Sequence, residues 1–255
     1  MLFVLSSFSQ INQDPMPKMG NKMLKEFLLV HQIYPEKAIK NDNEGIVEIK
    51  FTTDAKGKVL EKEIISPVSP ELDKEALRLF NLIIWEPSLK YGIKSPGNNT
   101  LDINFKIKKY KKFVKQRGFK QITVDYPIDS SLIIYNQKKL DSVAKPNLPN
   151  GKNSLYNYVY SLMEYPAPAV KLEIEGKVEI CFIIETNGLP SNFIVKKSLG
   201  GGCTAEALRL IKDIKWKPGY KNGMAVRSQR TIFIEFKLSN IQSGKNVTNQ
   251  NNSGF

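Results

Sequence analysis

At 255 residues and 41% hydrophobic content, the chain is long enough for two ordinary domains with their own cores and too apolar for a disordered protein. Two cysteines exclude a disulfide scaffold, and a single histidine, His31, is poor material for metal binding or general-base work. The net charge of +13 raises a nucleic-acid reading that only the placement of the charges can decide.

Residues 1–14 open with Leu2-Phe3-Val4-Leu5-Ser6-Ser7-Phe8-Ser9, too short for a bilayer span of about 20 residues. The stretch resembles the end of a secretory h-region without its basic n-region, so a truncated or misplaced signal peptide is expected, with a frayed apolar terminus as the alternative. The last segment, 239–255, is mostly Asn, Gln, Ser and Gly and reads as disordered.

Between these ends a 93-residue stretch occurs twice at a constant offset of 131, residues 15–107 and 146–238, with 28 identical pairs and no gap. Pro15, Gly20, Tyr34-Pro35, Gly57, Glu75-Ala76-Leu77-Arg78-Leu79, Trp85, Pro87 and Phe105 return as Pro146, Gly151, Tyr165-Pro166, Gly188, Glu206-Ala207-Leu208-Arg209-Leu210, Trp216, Pro218 and Phe236. An ungapped duplication means one fold used twice.

Each copy begins with a helical stretch, 22–30 or 154–163, closed by Tyr-Pro. Val47, Ile49 and Phe51, like Val178, Ile180, Phe182 and Ile184, alternate with other residues and predict a strand with one apolar face. A hairpin is expected at Lys56-Gly57 and Asn187-Gly188; Asn-Gly suits a type I′ turn, although Pro190 argues for a looser loop. After the second strand, Leu72, Ala76, Leu79, Phe80 and Ile83 line one helix face, matched by Cys203, Ala207, Leu210, Ile211 and Ile214. Ser69-Pro70 predicts an N-cap with proline at the first helical position, and Thr204 the cap of the second copy. A last strand is expected to alternate through Leu101, Ile103, Phe105 and Ile107, or Ile232, Ile234, Phe236 and Leu238. The expected fold class is α+β, each copy a small antiparallel three-stranded sheet with helices packed on one face. Three strands leave open edges, which present backbone donors and acceptors to any extended peptide.

The charge sits mainly between the copies. Residues 15–107 carry 14 basic and 13 acidic groups and residues 146–238 carry 13 and 8, whereas 108–145 carries 10 and 3. That stretch reads as a basic linker, and 108–120, bounded by Lys108 and Lys120, holds seven positive charges and no negative one. A solvated linker is the plain reading, contact with an anionic surface the sharper one. Cys181 and Cys203 are expected to be free thiols on different sides of the sheet, Cys203 buried.

Copy two reads Tyr165-Pro166, Asn187-Gly188, Gly200-Gly201-Gly202-Cys203, Trp216-Lys217-Pro218-Gly219, Asn222-Gly223, Val226-Arg227 and Thr231-x-x-Ile234-x-Phe236. This resembles the C-terminal domain of TonB, the energy transducer of Gram-negative envelopes. Copy one is similar in degenerate form, with Ser88 after Trp85-Glu86-Pro87 and Ser95-Pro96 in place of Val-Arg. The segments before each copy resemble an extension seen in Bacteroidetes-type relatives. The resemblance implies two tandem TonB C-terminal-like domains in the periplasm. It also implies that an edge strand, Val226, Arg227, Ser228, Gln229, Arg230 and Thr231, pairs with the TonB box of an outer-membrane TonB-dependent transporter, with Tyr165-Pro166 near the peptide. Inner-membrane motor proteins are the family's other partners. As written, the chain shows neither membrane anchor nor Pro-rich spacer, so a separated relative that binds without energising fits better.

Other residues read plainly. Gly200-Gly201-Gly202 has no Lys-Ser/Thr after it, so it is a loop and no P-loop. Trp85 and Trp216 read as core. Arg227 and Arg230 divide evenly between anti-aggregation charges and contacts to an acidic peptide. No nucleophile has a base partner and the carboxylates fall mainly on expected solvent faces, so there are no catalytic or metal residues, no cofactor and no enzyme. Three classes stay open: a TonB-like adaptor, an envelope module that contacts peptidoglycan or another envelope protein, partly through Lys108 to Lys120, and a nucleic-acid binder. The last has only charge behind it and no motif, and a secreted location excludes it.

Overall fold

The computed structural model describes residues 12–149, 154–240 and 247–248. Both the signal-peptide stretch and most of the polar tail therefore lie outside the described residues. The chain forms two compact units, Met1–Ile122 and Thr123–Phe255, each taken by itself below.

The first unit runs α1 (Gly20–His31), α2 (Glu36–Lys40), β1 (Gly45–Thr53), β2 (Val59–Ser66), α3 (Pro70–Leu82), β3 (Gly97–Phe105) and α4 (Ile107–Arg117). The sheet is antiparallel in the order β2-β1-β3. Strand periodicity places Val47, Ile49 and Phe51 beside Ile103 and Phe105, all at most 1% exposed, against Leu72, Ala76, Leu79 and Phe80 of α3. Each fully buried side chain of this kind contributes about 1.5–3 kcal/mol. Trp85 completes the core, its ring 4.2 Å from Phe51 and 5.3 Å from Phe80. Ser69 caps α3 by accepting from Leu72 N, with Pro70 at the first helical position.

The Glu-Ala-Leu-Arg-Leu motif has a tertiary purpose. Buried Glu75 accepts from Ile33 N and from Arg78, and Arg78 donates on to His31 O, which clips α3 to the end of α1. Glu206 and Arg209 repeat the clip on Glu164 N and Leu162 O. Carboxylates expected on solvent faces are thus buried at these two positions, because each satisfies a helix-end backbone group that has no intrahelical partner.

The second unit repeats the plan with α5 (Leu155–Leu162), α6 (Ala167–Lys171), β5 (Gly176–Ile184), β6 (Pro190–Lys197), α7 (Cys203–Lys212), β7 (Gly219–Lys221) and β8 (Met224–Phe236). Ahead of them stands β4 (Ile134–Asn136), whose partner is the last strand, β8. This sheet has five strands against the three expected, because β4 pairs β8 in parallel and β7 pairs the start of β8. Both faces of β5 are buried from Ile180 to Ile184, including Cys181 at 5% and Ile183 at 3% exposure. The corresponding residues of β1, Lys50 and Thr52, remain exposed and half-buried.

Several expectations shift with packing. The stretch 108–145 is no free linker: Ile107 and Tyr110 of α4 are buried against the first unit, and residues from Thr123 onward belong to the second. Arg117, one of the seven positive charges, donates to Leu29 O, Val30 O and Gln32 O at the C-terminus of α1, where a cation meets the helix dipole and its unpaired carbonyls. Thr204 does not cap α7, whose N-cap is Gly202; its hydroxyl accepts from Leu199 N, as Asp73 does from Val68 N. The ungapped register also fails at the very start. Pro17 pairs Trp85 as Pro146 pairs Trp216, so the leads differ by two residues although Pro15 aligns with Pro146 in sequence.

The hairpins are not type I′, since Asn187 keeps negative φ and only the glycine is left-handed, at +83° for Gly57 and +79° for Gly188. Asp54 and Glu185 close the turn through their N–H to Lys58 O and Leu189 O. Cys203 is fully buried and both cysteines are free. Burial pushes the Cys203 thiol up to about 11. Iodoacetamide at pH 8 is therefore expected to leave Cys203 unmodified in the native chain and to alkylate it after denaturation, as mass spectrometry of the digested protein reports; rapid native alkylation would contradict the burial.

Candidate functional site

β8 positions the edge residues named from the resemblance, and burial divides them into an inner and an outer half. Val226, Arg227 and Ser228 are 1%, 5% and 1% exposed, whereas Gln229 is exposed and Arg230 and Thr231 are half-buried. Arg227 is therefore neither a free surface charge nor open to a partner's acid. Its guanidinium is buried against Glu185 at 2.8 and 3.0 Å. Ser191 Oγ donates to Glu185 Oε1, Asn192 Nδ2 donates to Ser191 Oγ, and Arg227 Nη1 donates to Leu132 O at 3.2 Å. A buried pair so fully bonded avoids the penalty of an unpaired charge in low dielectric.

Arg230 points its guanidinium over the Trp216 ring at 5.6 Å and donates to Gln137 Oε1 at 3.1 Å. The ring itself is buried core, packed 5.6 Å from Phe182, as repetition of the tryptophan implies. Gln229 is held through its carbonyl by Gln137 Nε2 at 3.3 Å. Ser228 Oγ is buried with no hydrogen-bond partner among the described residues.

Tyr165 is turned into the fold. It is 4% exposed, its ring meets Phe236 edge-on at 5.6 Å, and its hydroxyl donates to Ile174 O; burial raises its pKa to about 12. Tyr34 repeats each feature with Phe105 and Asn43 O, so the Tyr-Pro pair is a brace of the fold. Pro166 starts α6 from its N-cap position, and Tyr165-Pro166 pairs in parallel with Val247-Thr248.

The residues that complete the edge were not legible as a site. Glu185, Ser191, Asn192 and the segment from Leu132 to Gln137 join it only through tertiary packing. One signal was available: Arg227 and Ser191 replace Pro96 and Leu60 of copy one, two polar gains that turn out to serve one buried network. The Gly200-Gly201-Gly202 run is a packing device, since a Cβ on Gly201 would stand 2.8 Å from Ala169 Cα. Among the described residues, no group of three or more His, Cys, Asp or Glu is placed to hold a metal, and no helix is long and apolar enough to cross a membrane.

Two α+β units of this design, each a sheet backed by helices, define one small domain used twice. The family model for the Gram-negative bacterial TonB protein C-terminal matches at residues 30–107 and again at 161–238, more than half the chain and at the same offset of 131. The chain belongs to that family, in two tandem copies. The family is one of non-enzymatic envelope protein-interaction domains in Gram-negative bacteria. No curated protein matches the chain.

Proposed function

We propose that this chain is a periplasmic adaptor whose second repeat binds the N-terminal peptide of an outer-membrane TonB-dependent transporter by strand addition to β8. The observation that carries the reading is that the edge of β8 opposite β5 takes a strand, since Arg227, Ser228 and Gln229 pair β4 there while Ser228 and Gln229 pair β5 on the other side. Main-chain hydrogen bonds supply affinity in such pairing, and flanking side chains supply selectivity.

Titration of the full chain with peptides from transporter N-termini is expected to show saturable binding. Gln229→Pro, which removes a backbone donor from a strand paired on both sides, is expected to abolish it, with circular dichroism reporting how much of the sheet survives. Loss of binding equally in the control Lys90→Pro in the first repeat would sink the assignment to β8.

A second reading has its own observation. On α4, Lys108, Lys111, Lys112 and Lys115 are exposed at helical spacing i, i+3, i+4 and i+7, a cationic face suited to an anionic envelope surface or to peptidoglycan carboxylates. Salt-sensitive pelleting with purified sacculi, without any peptide binding, would favour a structural envelope module instead.

A further inference from the structure

The docking edge of β8 is already filled by the chain itself. We propose that residues 131–137 form a resident strand that closes this edge, and that a partner peptide must displace it and enter in the same parallel register. The inference rests on the strand-addition reading above and adds to it a gate and a peptide direction.

The resident strand is held by backbone contacts that another peptide can reproduce. Ile134, Tyr135 and Asn136 stand opposite Arg227, Ser228 and Gln229. Arg227 reaches Leu132 O, a main-chain carbonyl that any sequence offers. Upstream, Asp129 N donates to Ala225 O and Ala225 N to Pro127 O, so the segment tracks the same edge before it loops out. Gln137 adds side-chain hydrogen bonds, through its amide to Gln229 O and its oxygen to Arg230.

Three features make displacement cheap. The paired stretch is three residues long, a ladder too short to be stable by itself. Leu132 and Ile133 are 41% and 54% exposed, so the apolar surface returned to water on removing the strand is confined to the half-buried Ile134 and Tyr135. Leu132 is also held at φ +62°, a conformation unfavourable for a branched side chain, and leaving the edge relieves that strain. The first repeat supplies the contrast: Pro96 stands where Arg227 stands, and among the described residues no strand pairs the outer edge of β3.

The fitting partner is thus an extended peptide running parallel to β8, with an acceptor side chain (Gln, Glu or Asp) three residues after the one opposite Arg227. A carboxylate there meets Arg230 in a charge-assisted bond, and a lysine or arginine there is repelled.

The test uses the full chain and a labelled, end-capped peptide of its own residues 131–137, Ser-Leu-Ile-Ile-Tyr-Asn-Gln. The variant Ile134→Gly/Tyr135→Gly weakens the resident strand, and Asn136→Cys/Gln229→Cys locks it when oxidised with glutathione disulfide. Positions 136 and 229 are exposed cross-strand partners, whereas the native cysteines are buried. The freed edge is expected to bind the peptide roughly tenfold or more tighter than the wild type, because apparent affinity scales with the open fraction. The oxidised lock should not bind, and reduction should restore binding. Equal affinity for wild type, freed edge and oxidised lock overturns the resident strand. If the self-peptide follows the expected pattern but transporter peptides bind no form, the gate stands and the transporter reading falls. If transporter peptides bind the oxidised lock as well as the wild type, they dock elsewhere and the gate is refuted.

Discussion

Replacing Gly188 with alanine is expected to unfold the second repeat. Two physical demands meet at this residue. Its φ is +79°, and a Cβ would lie 2.0 Å from Trp216 O and 3.1 Å from Trp216 C, both backbone atoms that no rotamer change can move. The Gly188 carbonyl also accepts from Trp216 N at 2.9 Å. Left-handed strain alone costs about 1–2 kcal/mol and the lost hydrogen bond about 1. Moving Trp216 away from Phe182 brings the expected total above roughly 4 kcal/mol, the range reached only by identifiable structural faults. Gly223→Ala is the control, at φ +75° with open space around it, and should cost about 1–2 kcal/mol. Urea denaturation of both variants decides the matter, and equal losses would show that the contact with Trp216 contributes nothing. Gly57 stands against Trp85 O in the same way at 2.3 Å, so both copies keep glycine for the same reason.

Arg227→Ala is expected to destabilise the second repeat by about 3–5 kcal/mol. It leaves Glu185, whose side chain is 5% exposed, without its guanidinium partner. The double replacement Glu185→Leu/Arg227→Met removes both charges and should cost much less, because no buried charge is stranded. A double-mutant cycle from denaturant midpoints measures the coupling; a coupling energy below about 0.5 kcal/mol, the additivity limit for independent sites, would mean that the pair is effectively solvated. Arg227→Ala also removes the donor to Leu132 O. Hydrogen exchange at Ile134 and Tyr135 should therefore quicken in variants that remain folded.

The two copies explain which parts of this design show in one dimension. Strand alternation at Val47, Ile49 and Phe51 and the helical spacing of Leu72, Ala76 and Leu79 report burial directly, so the sheet, its helices and the duplicated plan were legible. Trp85 and Trp216 were read correctly as core because repetition before proline marked them. The basic stretch misled because charge dominates its composition: Ile107 and Tyr110 carry its packing, and Arg117 is spent on the end of α1. Arg227 misled for the opposite reason, since a charged residue on a strand reads as exposed until its buried partner is known.

Sequence alone determined the tandem α+β units, through local periodicity and residues repeated 131 positions apart, whereas the family and the strand that carries the candidate edge came from the resemblance of motifs such as Trp216-Lys217-Pro218-Gly219 and Val226-Arg227. Only the tertiary structure decided that Tyr165 braces the core, that Glu185 pairs Arg227 across 42 residues, and that the chain's own Ile134–Asn136 pairs Arg227–Gln229 in parallel. Backbone pairing carries no residue code: any extended segment can satisfy an open ladder, so which one does so is settled by where the fold brings it.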